Sequence, residues 1–182
     1  MNSAATMQAV VDRSLQRLMQ AGLNAVPLPV HPLMAASQPS IYADDGYENW
    51  LPIASTVTDE QLVAFEATIG YSLPPAYKAF LHYKHFYDLY IGEAEFFTHP
   101  VDDWLAQLQY QVLEMWPAEN LAAGLVPFAS WGGAGDMLCF DTSRNQDTAE
   151  YPVMLWNHQD NNQTEDFSPN FTTLLQQLDS AP

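Results

Sequence analysis

The sequence predicts an α+β fold: a largely antiparallel sheet with helices packed on one side, plus an appended N-terminal helix. Three observations carry that expectation. Helical and strand-like periodicities follow one another as helices, strands, one helix, strands and a last helix, with no internal repeat. A capping box at Thr58-Asp59-Glu60-Gln61 marks a helix start. The link Gly132-Gly133-Ala134-Gly135 joins two short apolar runs, a hairpin signature. With 182 residues, 48% of them apolar, the chain has material for one ordinary core.

Residues 4–21 carry Met7, Val11, Leu15 and Leu18 at three- and four-residue steps, widened by Val10 and Met19. This is an amphipathic helix closed by Gly22. From Val26 to Ser40 four prolines interrupt any periodicity. That stretch reads as a connector, extended in part, rather than as packed structure. Residues 1–40 are therefore expected to be a helix and Pro-containing connector, and residues 41–182 the domain, which should fold without them.

After the capping box, Leu62, Phe65 and Ile69 line one helix face and Gly70 supplies the left-handed stop. Pro74 and Pro75 suit the first turn of a second helix, where a missing N–H costs nothing. Phe86–Tyr90 and Glu93–Thr98 are expected to pair as strands around Ile91-Gly92. A third helix should run from about Val101 to Met115, with Val101, Leu105, Leu108, Val112 and Met115 as its apolar face. Val126–Trp131, Met137–Asp141 and Val153–Trp156 read as strands. The closing helix begins at Ser168-Pro169, with Phe171, Leu174, Leu175 and Leu178 as its stripe.

Charge narrows the function classes. Five Lys and Arg stand against 22 Asp and Glu, a formal net charge of −17. Over the roughly 9,000 Å² that a chain of this mass exposes, that is about one excess negative charge per 500 Å². Such a surface repels phosphate backbones and anionic headgroups, so no nucleic-acid or membrane partner is expected, and a basic protein is. The single Cys139 cannot form an internal disulfide. No apolar run has membrane-spanning length, and the first 20 residues lack the parts of a signal peptide. A cytoplasmic protein is expected, in which the sequons at Asn162 and Asn170 are chance matches.

The run Thr58-Asp59-Glu60-Gln61-Leu62-x-x-Phe65-Glu66-x-x-x-Gly70-Tyr71-x-Leu73-Pro74-Pro75-x-Tyr77-Lys78-x-Phe80-Leu81 resembles the N-terminal signature of the SUKH superfamily. That group includes fungal cell-wall-assembly regulators and many bacterial immunity proteins. Trp50 with Leu51-Pro52, Val126-Pro127-Phe128-Ala129 leading to Gly135-Asp136-x-x-Cys139-Phe140-Asp141, and Tyr151-Pro152-Val153 extend the likeness over roughly residues 47–178. Two departures stand out: His82-Tyr83-Lys84-His85 occupies a place where members often carry Asn-Gly, and residues 1–40 have no counterpart. The resemblance implies an α+β domain that binds other proteins. In bacterial members it implies neutralisation of toxins, often nucleases, with no enzyme activity and no cofactor.

Charge and resemblance together point to an immunity-type inhibitor that plugs the cationic cleft of a basic toxin. The alternative is a regulatory or scaffold module that binds an endogenous partner, as a monomer or homodimer. Candidate contacts are Asp44, Asp45 and Glu48 ahead of the domain, Asp160, Glu165 and Asp166 ahead of the last helix, and Trp131 with Asp136 at the glycine-rich turn. Each has an ordinary reading: acidic runs are usually solvated faces or answer helix dipoles, and a tryptophan beside a turn also fits a core. The turn is no phosphate loop, since it lacks the Lys-Ser/Thr that reaches phosphates. His82 and His85 stand three apart and can share a helix face, which with a third ligand would suit zinc; an ordinary helix-end role is the alternative, and no metal is expected. No Gly-x-Ser-x-Gly elbow is present, and Cys139 lies in an apolar strand where thiols are inert, so no catalytic residue is assigned. A hydrolase built on His and Asp residues is the third class. Trp50, Leu62, Phe65, Tyr77, Phe80, Leu81 and Phe140 read as core, Gly70, Leu73 and Pro74 as structural motif residues, and Glu66 with Lys78 as pairing or capping locally.

Overall fold

In the computed structural model, which describes residues 3–27, 29–144, 150–158 and 163–180, one antiparallel sheet organises the chain. Its spatial order is β10 (Gln163–Ser168), β9 (Val153–Asn157), β8 (Asp136–Asp141), β7 (Leu125–Trp131), β6 (Ala94–Phe96) and β5 (Tyr90–Ile91). Neighbours in space are therefore neighbours in sequence. Alternation along the central strands sorts side chains between two faces. Leu138, Phe140, Val153 and Leu155 enter the main core, whereas Cys139, Met154 and Trp156 join Trp116 in a smaller cluster on the other side.

The main core is closed by α1 (Ser3–Gln20), α2 (Asp59–Ile69), α3 (Pro75–Leu81) and α6 (Phe171–Ser180). Helix α2 starts where expected: Gln61 N donates to Thr58 Oγ1 at 3.3 Å, and Thr58 N donates to Gln61 Oε1 at 3.0 Å. Gly70 ends it at φ 80°. The α6 stripe of Phe171, Leu174, Leu175 and Leu178 is buried throughout. The Phe171 ring lies 5.3 Å from Tyr77, 5.5 Å from Phe80 and 5.6 Å from Phe128, mostly edge to face, so aromatic packing ties the α3 corner to the sheet.

Three expectations need correction. The proline-containing stretch is packed: β1 (Ala25–Pro27) pairs with β2 (Tyr47–Asn49), Leu51 N donates to Met34 O at 2.7 Å, and Val30 and Met34 are buried. Proline removes donors without preventing the remaining ones from pairing at a sheet edge. Helix α1 is present as expected, and its stripe of Met7, Val10, Val11, Leu15 and Leu18 lies in the same core as the sheet. Phe86–Tyr90 is not one strand; β4 (Lys84–His85) pairs with β3 (Ile53–Ala54), and the hairpin is β5–β6. Its turn uses Gly92 at φ 59°, where an added Cβ would meet Leu178 O at 3.3 Å. The third helix is α4 (Trp104–Gln109) followed by π-helical Tyr110–Met115, and this wider winding leaves Met115 exposed rather than on the buried stripe. Helix α5 (Ala118–Ala122) and strand β10 are further elements that periodicity did not signal. No described helix is long and apolar enough to cross a membrane.

Candidate functional site

Lys and Arg are few enough to be followed one by one. Arg13 and Arg17 share Asp179 of α6 at 2.5 and 3.8 Å. Lys78 binds Glu66 at 3.0 Å and Lys84 binds Asp12 at 2.6 Å. Arg144 bridges Asp141 at 2.8 Å and Asp166 at 2.5 Å. Every Lys and Arg in the sequence is thus matched to a carboxylate of its own chain. Glu66 also accepts from Leu73 N at 2.7 Å, so the Glu66–Lys78 pair locks the α2–α3 corner.

The segment between Ser40 and Trp50 builds a surface of a different kind. Ala43–Asp45 form one 3₁₀ turn, ended by Gly46 at φ 80°. Gly46 N donates to Ala43 O at 3.1 Å and Tyr47 N to Tyr42 O at 3.2 Å. Only a residue without a Cβ enters that backbone region freely. The closed turn brings the Tyr42 and Tyr47 rings edge to face, 6.4 Å between centroids. With Gly22, Leu23, Ala25 and Asp45 these rings line a cleft of about 340 Å³. Ile41 is 84% exposed, Leu23 64% and Tyr42 49%, so large apolar side chains face solvent beside two carboxylates. Among the described residues no cation pairs with Asp44 or Asp45. Glu48, on β2, is partly engaged, accepting from Val30 N at 3.3 Å.

The other candidate contacts are disposed differently. Asp136 accepts from His158 N at 3.2 Å and lies 3.0 Å from its Nδ1. Trp131 is half-buried, its ring 4.8 Å from Phe167. Glu165 and Asp166 are exposed on β10 opposite Leu155 and Met154, and so point to opposite faces. Hydrogen bonding to Arg144 holds the Asp166 carboxyl below its ordinary range. Asp160 lies outside the described residues.

Two groups escaped the sequence reading. Across the β5–β6 hairpin Tyr90 OH donates to Glu95 Oε1 at 3.2 Å. Burial, reinforced by Glu95, pushes the neighbouring Asp88 carboxyl up to about 6. The second is a histidine pair. His82 and His85 do not share a helix face, because α3 ends at Leu81 and His85 stands on β4. His82 is held by Val57 O and Asp59 Oδ1, each at 3.0 Å. His85 is fully buried, accepts from Thr56 N through Nε2 at 2.9 Å, and stacks on His99 with centroids 4.7 Å apart. Burial lowers the pKa of both rings, that of His99 to about 3. No group of three metal-ligating side chains occurs among the described residues. Burial also pushes the Cys139 thiol up to about 12, keeping it protonated and unreactive.

The family model described as SMI1 / KNR4 family (SUKH-1) matches residues 56–177. The chain belongs to this family. A search of curated proteins returns no match. The SUKH-1 span opens just before the α2 capping box and ends within α6, so it covers the whole six-stranded sheet. Within it Phe65, Leu73, Tyr77, Phe80, Leu81 and Phe140 are buried, as is Trp50 upstream. The resemblance residues thus mostly build the core. SUKH-1 membership is consistent with a protein-binding role, whether immunity or regulatory. The Tyr42–Tyr47 turn lies N-terminal to the matched span.

Proposed function

We propose that this SUKH-1 protein is an immunity protein that neutralises a basic, nuclease-type bacterial toxin by occluding its cationic cleft. The observation that carries the reading is the pairing of all five Lys and Arg within the chain, against 22 carboxylates. A toxin's cations then meet acidic surface with no internal competitor. Complementary fields of this kind raise association rates by ~10–10³-fold. The chain catalyses nothing in this role and requires no cofactor; it acts in the cytoplasm, where an incoming toxin meets its target. Co-expression of the cognate toxin, encoded by an adjacent gene, with and without this protein tests the proposal. Restored growth supports it, and unchanged toxicity rejects it in favour of a regulatory module with an endogenous partner.

A further inference from the structure

We propose that the cleft lined by Tyr42, Tyr47, Leu23 and Asp45 receives an arginine side chain of the partner protein, held against the tyrosine rings and the Asp45 carboxylate. This rests on the reading that the partner is basic and names where, and by which group, it is gripped. About 340 Å³ is at the small end of ligand clefts, suited to a side chain and its flank. Leu23, which lines the cleft and is largely exposed, supplies an apolar margin that a neighbouring residue of the partner would cover.

Asp45 lines the cleft and Asp44 precedes it, and the chain's own Arg and Lys are bound to other carboxylates. An aromatic pair with an uncompensated carboxylate asks for a cation that also has a flat face. Guanidinium qualifies: it stacks on aromatic rings, pairs with carboxylates in a fork, and loses less hydration than an ammonium. Hydrogen bonds from Tyr42 N to Ser40 Oγ, Gly46 N to Ala43 O and Tyr47 N to Tyr42 O fix the turn before any partner arrives. Because the turn precedes the SUKH-1 span, it offers this chain a recognition element separate from the family core.

The test uses the full chain and amide-resolved NMR at low ionic strength. The probes are capped Gly-Leu-Arg-Leu-Gly and its lysine and citrulline counterparts. The expected result is shift changes centred on residues 22–25 and 41–48, with the arginine peptide binding about 2–5-fold tighter than the lysine peptide. Tyr42→Leu and Asp45→Asn should each weaken the arginine peptide by about 2–5-fold, with unchanged thermal midpoints. Shift changes spread evenly over Asp136, Glu165 and other carboxylates, or variants that bind as well as the parent, overturn the cleft while leaving a basic partner in place. If no cationic peptide perturbs any residue, the basic-partner reading falls as well.

Discussion

Replacing His99 with Phe should flatten the pH dependence of stability. His99 is 3% exposed, its Nδ1 lies 3.1 Å from His85 Nδ1, and its Nε2 finds no hydrogen-bond partner among the described residues. Burial, then the His85 charge, lowers its folded pKa to about 3 from an ordinary 6.5, so the native state holds the ring neutral. A group with a depressed histidine pKa contributes its stability above the unfolded value and loses it as the pH falls below 6.5. At pH 5 the unfolded ring is almost fully protonated and the folded ring is not. Linkage then costs about 2 kcal/mol between pH 7.5 and 5, set mainly by the unfolded pKa. His85, lowered by burial although raised by Asp102, acts in the same direction. In His99→Phe the backbone carbonyl that faces His85 Nδ1 at 3.1 Å remains, and the orphaned Nε2 is gone. Fitting the larger phenyl ring against Phe86 and Trp104 costs about 1–3 kcal/mol, as overpacking does, and the same at either pH. Urea unfolding at pH 7.5 and 5.0, both above the pI of about 4.1, measures the difference. Carboxylate titration is common to both proteins and cancels. The parent should lose about 2 kcal/mol more than the variant; equal losses would refute the buried neutral pair.

Three further outcomes are expected. Phe80→Ala, which removes a ring packed 5.2 Å from Phe96 and 5.5 Å from Phe171, should destabilise by ~3–5 kcal/mol in the same urea assay, and a near-zero change would displace it from the core. Deleting residues 1–22 removes five buried apolar side chains of α1 and bares the core they cover, on the order of 8–15 kcal/mol of burial, comparable to a whole domain's stability. Cooperative unfolding should vanish, and its survival would show that the rest of the chain folds without α1. Thr58→Ala should cost about 1 kcal/mol, because Gln61 N loses its acceptor; no loss would show the capping box to be idle.

What could be read from the sequence was what local chemistry alone decides. The α2 cap, the Pro75 start of α3, the Gly70 stop and the α6 stripe each depend on residues within a few positions. The misreadings share another cause. Strand β10, Gln163–Ser168, lies at the sheet edge and has one neighbour, so its residues need no apolar alternation to stay in place. Met34 and Val30 are buried by a tertiary pairing with residues 47–51 that proline content conceals. Histidine spacing suggested a His82–His85 face because the helix end at Leu81 was not visible, and the true partner, His99, is fourteen residues away. At the candidate site Asp44 and Asp45 were legible as a cluster. Tyr42 and Tyr47 were not, since their exposure and mutual approach follow from one left-handed glycine.

The complete internal matching of cations has a colloidal consequence. With Arg13, Arg17, Lys78, Lys84 and Arg144 each tied to a home carboxylate, two identical molecules present one another with like-signed exteriors and repel. Dissolved electrolyte softens that mutual avoidance and, in the same stroke, masks the pull toward an oppositely signed protein. Ionic strength should therefore drive self-encounter and capture of the proposed basic partner in contrary directions.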